Sequence, residues 1–342
     1  MAEQNVTLAF KKKVWITVGI VAVSFIILWI LKTTFNVLLL LLAGALIALY
    51  FHGLANLISK YTKWKHGLSM AVGIIITFLL LVGFFWFSGA HIQMQIEQLK
   101  ETLPATIDNF KQQLNKSLIG REILSTIGSE DSKQKLTNIF NTFFRSSFGV
   151  LGDLYVVIII GLFFTATPSV YLNGFIQLFP KRSKNKAKEV LAKTGFTLTK
   201  WLKGQLIAML IVSVLTAIGL SIIGVPMALA LALIAGVLNF IPNFGPLIAM
   251  IPAVLIGLTQ GVPMAIIVAA LYILVQVLES NFITPQIQKR MINLPPALII
   301  IAQLFMGVLT GGWGLVLATP IVAILIVVIQ ELYIKETSAA ES

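Results

Sequence analysis

The stretch NFIPNFGPLIAMIP, Asn239 to Pro252, lies inside one of the most apolar parts of the chain. Three prolines, one glycine and two asparagines interrupt what would otherwise be a run of spanning-helix residues. Proline removes a helix hydrogen bond and clashes with the preceding turn, so a plain membrane anchor would exclude such a patch. A sequence that keeps it there needs something to satisfy the backbone groups it frees.

The surroundings of the patch define the class of protein. The chain has 342 residues, of which 58% are hydrophobic and 11% are charged, whereas a soluble domain carries about 25% charged residues. That deficit predicts a polytopic, all-helical membrane protein. Cysteine is absent, which excludes disulfides, thiolate metal sites and cysteine nucleophiles. The three histidines, His52, His66 and His91, lie near expected segment ends without ligand-type spacing, so no metal or other cofactor is expected. The net charge of +12 comes from basic residues collected in short segments beside apolar ones. Such clustering orients a protein in a bilayer, and nucleic acid is not an expected partner.

Working outward from the patch, residues 1–90 should hold three membrane helices, at about Val14–Leu31, Phe35–Phe51 and Gly67–Ala90. The Lys11–Lys13 cluster and the apolar run behind it resemble a secretory signal, but the run is long enough to be the first membrane helix. The short Lys32–Thr34 linker predicts that the first two helices form a tight antiparallel pair. Residues 91–147 are polar, with seven basic and six acidic side chains. Ile96, Leu99, Leu103, Ile107, Phe110 and Leu114 there recur at helical spacing, predicting an extracytoplasmic amphipathic region interrupted near Pro104. A fourth span covers 148–166. The segment 167–203 follows, with eight basic residues and one acid between Lys181 and Lys203, and it reads as a cytoplasmic loop. Residues 204–334 should form the transport core and 335–342 a cytoplasmic tail. Both termini are then cytoplasmic.

Parity constrains the core. A helix over about Gly204–Gly224 should run outward, and one over about Pro263–Phe282 should return to the basic pair Lys289 and Arg290. Everything between starts and finishes on the outer side. Its two apolar pieces, Met227–Phe240 and Leu247–Leu258, are short: fourteen helical residues cover about 21 Å, against a hydrocarbon core of about 30 Å. A re-entrant hairpin is therefore expected, carrying Asn239, Pro242, Asn243, Gly245 and Pro246 to mid-membrane depth. Pro295–Val308, the LTGGWG break and Leu315–Leu332 repeat the arrangement from the inner side. Alternatively, Leu315–Leu332 is an ordinary span. On this reading the two broken elements approach from opposite faces, as in transporters built on inverted repeats.

Glu279 is the acidic residue of most interest. Ten residues separate it from Lys289, a helical rise of about 15 Å, which places it inside the interface. A carboxylate at that depth costs a few kcal/mol unless it has a partner or a wet cavity, and it is a candidate proton or cation carrier. Asn281 and Thr284 are its expected neighbours, and Pro285 frees carbonyl oxygens able to coordinate a cation. The competing structural role is an ion pair with Lys289, Arg290 or a lysine near Gly204. Asp153 and Glu331 are expected at the interface. Gly307, Gly311, Gly312 and Gly314 allow close helix approach and unusual backbone angles. No Walker sequence, nucleophile elbow or HExxH motif occurs, so the chain is not expected to be an enzyme.

The stretches GVLNFIPNFGPLIAMIPAVLIGL, LESNFITPQIQKRMINLPPALII and GGWGLVLATPIVAIL resemble the signature regions of the autoinducer-2 exporter family, or PerM-type permeases. KWLKGQLIAMLI, with Gly204 and Gln205, resembles the start of that family's second half. The similarity is specific over about Lys200–Val328. It maps the family's IPxxGP onto Ile241, Pro242, Gly245 and Pro246, its E-x-N-x-x-x-P onto Glu279, Asn281 and Pro285, and its last stretch onto a segment with Pro320. The family's later hP maps onto Leu294 and Pro295, where this chain lacks the family's frequent histidine. The resemblance implies a secondary transporter of about eight membrane segments in a bacterial inner membrane. It also implies a homo-oligomer, a pentamer being one such assembly.

Residues and resemblance together lead to export of a small polar organic molecule of the autoinducer-2 type. The alternatives are a sodium or lithium/proton antiporter using Glu279, and a membrane scaffold without transport activity. The expected partners are the lipid bilayer and a small-molecule or cation substrate.

Overall fold

The computed structural model describes residues 2–84, 86, 152–288 and 295–334. The amphipathic region expected over 91–147, the Lys289–Arg290 pair and the tail from 335 lie outside the described residues. Every described element is helical: α1 (Ala2–Thr62), α2 (His66–Phe84), α3 (Gly152–Ala166) and α4 (Pro168–Gln177). A 3-10 turn at Lys181–Ser183 leads into α5 (Lys184–Ile222), then α6 (Ala228–Leu238) and α7 (Phe244–Thr259). α8 (Val262–Leu278) continues through one π-helical turn, Glu279–Ile283, into α9 (Thr284–Gln288). α10 (Pro296–Thr310) and α11 (Gly312–Ile329) follow, with a second π turn at Gln330–Ile334.

Five of these helical stretches are long and apolar enough to cross a membrane, and a sixth appears if α3 and α4 count as one broken span. The chain is an all-α polytopic membrane protein. The eight expected segments are not all of spanning length. α6 and α7 have 11 and 16 residues, and α10 has 15, while the stretch from Gly312 to Ile334 is long enough to span.

One expectation is corrected outright. Residues 14–51 do not form an antiparallel pair, because α1 runs through Lys32–Thr34 without a turn. The linker contains no proline or glycine, and the Thr34 hydroxyl donates back to Ile30 O at 2.7 Å, so nothing there ends a helix.

α5 is the spine of the bundle. Its first half joins a core built from Leu39 and Leu46 of α1, Val157 of α3, Leu198, Trp201 and Leu202 of α5, and Met306, Leu317 and Val322 of α10 and α11. Its second half joins another core, in which Leu220 meets Leu231 and Ala235 of α6, Ala249 and Ala253 of α7, and Val268 and Tyr272 of α8. The opposite side of α5 leaves Leu210, Val214, Ile218 and Ile222 exposed at every fourth residue, a stripe suited to lipid. Lipid tails are as apolar as leucine, so packing density rather than water exclusion holds such helices together. Small residues permit that packing: a Cβ on Gly44 would lie 2.5 Å from Ile160 Cγ2, and one on Gly161 would lie 2.6 Å from Ile47 Cγ2.

The folded chain also contains a repeat. α7–α8 and α10–α11 are each a short helix, a positive-φ glycine (Gly261, Gly311) and a longer helix ending in a π turn that holds a glutamate (Glu279, Glu331). Asn243, Pro246, Gly257 and Gly261 recur at one constant spacing as Asn293, Pro296, Gly307 and Gly311. Both longer helices pack on α5: Leu271 lies at Gly219, and Glu331 reaches Lys193.

Candidate functional site

The interrupted stretch is a tight turn between α6 and α7. Pro242 has no N–H to continue the helix, and Asn243 adopts φ 67°, uncommon for a residue with a side chain. Gly245 allows the turn to close, since a Cβ there would fall 1.9 Å from Leu238 O. Two glutamines from other helices take the freed carbonyls. Gln205 Nε2 of α5 donates to Asn239 O at 2.6 Å, and Gln303 Nε2 of α10 donates to Pro242 O at 2.8 Å. Asn243 Nδ2 lies 3.4 Å from Gln303 Oε1. Gln303 is fully buried, so its amide serves the turn alone. Non-helical backbone is tolerated here because protein satisfies it.

Glu279 faces this turn. It occupies the π turn after α8, an extra-residue geometry that often marks functional positions. The residue is 5% exposed. Its carboxylate accepts from Thr284 Oγ1 at 3.0 Å and from Gln276 Nε2 at 3.2 Å, and Gln276 also reaches Ser280 Oγ at 2.9 Å. It forms no ion pair among the described residues. The Asn239 side chain lies beside the carboxylate, yet neither of its polar atoms completes a geometrically sound hydrogen bond. Close approach without alignment reconciles the two observations.

Further buried polar atoms lie on the same helices. Tyr272 and Gln276 precede Glu279 by seven and three residues, which puts all three on one face of α8. The Tyr272 hydroxyl, Gln276 Oε1, the Thr216 hydroxyl of α5 and both amide atoms of Asn239 are buried without a partner among the described residues. Buried polar groups in proteins are nearly always paired, so this face is suited to water or a polar solute.

The expected site residues separate into groups. Asn239, Glu279 and Thr284 come together. Pro242, Asn243, Gly245 and Pro246 shape the turn opposite them, and Gln205 holds it. Asn281 instead carries an exposed side chain that donates to Val277 O at 2.9 Å, and half-buried Pro285 follows Thr284. The basic pair proposed for Glu279 lies outside the described residues. Gly204 is buried within α5. Gly307 would bring a Cβ 3.2 Å from Leu315 Cγ, Gly311 turns with φ 67°, Gly312 has open space around it, and a Cβ on Gly314 would lie 2.1 Å from Met306 O. Pro320 is buried inside α11.

Asp153 accepts Trp313 Nε1 at 2.7 Å, tying α3 to the glycine-rich break. Glu331, expected near water, is instead 5% exposed and accepts Lys193 Nζ at 2.6 Å, while Lys193 also reaches Glu189. The reason is tertiary: the end of α11 lies against the start of α5. Gln205, whose amide holds the turn beside Glu279, lies more than three turns, about 18 Å, further along α5 than Lys193. The turn beside Glu279 and the Glu331–Lys193 pair therefore sit at separate levels along α5. Sequence reading missed Gln303, Gln276 and Lys193, because an isolated polar residue on an apolar helix does not disclose its partner.

The model of the AI-2E family transporters matches residues 15–334, nearly the whole chain. Among curated proteins, the chain is 36% identical over 148 residues to YrrI of Bacillus subtilis, covering 43% of this chain and 42% of that protein. It is 25% identical over 274 residues to YueF of the same organism, covering 74% of each. YhhT of Escherichia coli is 30% identical over 112 residues, 32% of each chain. All three are named as transport proteins, and the matches span less than half of YrrI and YhhT. With its interrupted helices, its buried carboxylate and this match, the chain belongs to the AI-2E family of membrane transporters.

Proposed function

We propose that this protein is a secondary transporter of the bacterial inner membrane that exports a small polar organic solute of the autoinducer-2 type through its C-terminal half. Both termini are cytoplasmic on this reading. The observation that supports it is the position of Glu279 beside the fully buried Asn239 at a break in the helices. There a carboxylate, an amide and several unpartnered polar atoms offer a hydroxyl-rich solute the hydrogen bonds it loses on leaving water. Gln205 and Gln303 hold the turn that presents Asn239. The test is counterflow of labelled solute in sealed liposomes. Wild type should accumulate it, Asn239→Leu should not, and Gly53→Ala, at a site with open space, should match wild type. Equal accumulation by all three would refute the assignment.

A second reading, cation/proton antiport, is favoured by the absence of an ion pair to Glu279 among the described residues. Liposomes with an internal pH dye and imposed sodium, lithium or potassium gradients decide between them. Proton movement lost in Glu279→Gln supports antiport, and no movement under any gradient removes it.

A further inference from the structure

α3 ends at Ala166, and α4 leaves it at 91°. Pro168 at the first helical positions and the non-helical Thr167 before it, at φ −137° and ψ 62°, account for the break. α3 packs on the long apolar part of α1 through Gly44 and Gly161, and a helix bent 91° away from it suits the leaflet surface. α4 is patterned for that place: Tyr171, Leu172, Phe175, Leu178 and Phe179 follow at spacings of three and four and are all exposed. Ser169, Asn173 and Gln177 occupy the opposite side at intervals of four. The Tyr171 ring contacts Phe164 of α3, with centroids 4.6 Å apart, which braces the bend.

The 3-10 turn and first turns of α5 come next. Lys181, Lys184 and Lys188 fall at spacings of three and four, with Arg182 beside them. None of the four forms an ion pair among the described residues, because the nearby Glu189 is taken by Lys186 and Lys193. An in-plane amphipathic helix followed directly by unpaired cations is the pattern that binds an anionic leaflet, with apolar side chains inserted and ammonium groups at headgroup depth.

From this we infer that α4 and the Lys181–Lys188 segment form a seat for anionic phospholipid, binding the headgroup phosphate of a lipid whose acyl chains lie along Tyr171, Phe175 and Leu178. The basic stretch so far served only to orient the chain. Here it becomes a lipid site at the head of α5, the helix that also carries Lys193 and Gln205. The proposal stands independently of which solute is transported.

The cysteine-free sequence gives a direct test with the full-length protein. Gln177→Cys, on the exposed polar side of α4, takes a single fluorophore in phosphatidylcholine nanodiscs. Quenching is then compared between phosphatidylglycerol and phosphatidylcholine carrying a nitroxide high on the acyl chain. Each basic side chain near an anionic surface favours it by about five-fold. Phosphatidylglycerol should therefore quench at a mole fraction roughly ten-fold lower or less. In a K181Q/R182Q/K184Q/K188Q background the two lipids should become equivalent, while K60Q/K63Q/K65Q, at the end of α1 and the turn after it, should leave the preference intact. Raising salt from about 0.05 M to about 0.5 M should erase the preference without any substitution, which covers the case of a misfolded variant. Absence of a preference, or one indifferent to both the quadruple substitution and salt, overturns the proposal. So does competition by single-stranded RNA without any lipid preference, which would assign the surface to nucleic acid.

Discussion

Gly245→Ala probes the α6–α7 turn most directly. The added Cβ would sit 1.9 Å from Leu238 O, 2.5 Å from the Leu238 carbonyl carbon and 3.0 Å from Asn239 Cα. All three are backbone atoms, so no side chain can swing aside. Close carbon–oxygen contacts hold at about 3.3 Å or more, which forces the two arms of the turn apart by more than ~1 Å. The bonds that close it, Gly245 N to Ile241 O at 2.8 Å and Gln205 Nε2 to Asn239 O at 2.6 Å, would be stretched or lost. Overpacking costs about 1–3 kcal/mol and each lost hydrogen bond about 1 kcal/mol, so a loss of about 3 kcal/mol is expected. For a chain of this size that lowers the thermal midpoint by roughly 4 °C. The assay is thermal unfolding of the purified protein in nanodiscs, paired with solute counterflow, because moving Asn239 away from Glu279 should also abolish transport. Gly53→Ala is the control, since its Cβ meets nothing within 4 Å. If the two variants unfold at the same temperature and transport equally, the turn is not packed as described.

Two further outcomes follow from the polar contacts. Gln303→Leu keeps the volume but leaves Pro242 O without its side-chain donor, so it should cost about 1–3 kcal/mol, read as a lower unfolding midpoint. An unchanged midpoint in Gln303→Leu would contradict this reading, because Pro242 O would then not need the buried donor. Lys193→Met and Glu331→Gln should be less destabilising together than their separate effects imply, with a coupling of about 1 kcal/mol, modest because the Lys193 side chain is 40% exposed. Strict additivity in the double-mutant cycle would remove the ion pair as a tie between α5 and α11.

Much of the fold was legible in the residues because the bilayer imposes strong rules on composition. Apolar runs and the helix-breaking IPNFGP and LTGGWG stretches located the broken core, whereas the basic segment expected as a loop is helical from Lys184 onward, as the first half of α5. The motif residues also located Glu279, since a lone acid in a long apolar run has few ways to be tolerated. What failed was what depended on continuity or on distant partners. Lys32–Thr34 looks like a linker by charge, yet it has no helix-breaking residue, and α1 passes through it. Asn281 shares a motif with Glu279 but points elsewhere, because side chains two residues apart on a helix do not face each other.

The sequence by itself determined that the chain is helical, lies in a membrane and breaks its helices around Pro242 and Gly311. Each of those follows from local chemistry: hydrocarbon content, missing N–H groups and permissive backbone. Only the tertiary structure decided that Gln205 and Gln303 hold the turn, that Asn239 meets Glu279, and that Glu331 is neutralised by Lys193. Those pairings join residues 34, 61 and 138 positions apart in the chain where their hydrogen bonds are defined, and Asn239 lies beside Glu279 from across the hairpin. A buried polar side chain announces that it needs a partner, but which partner it finds depends on how the helices pack.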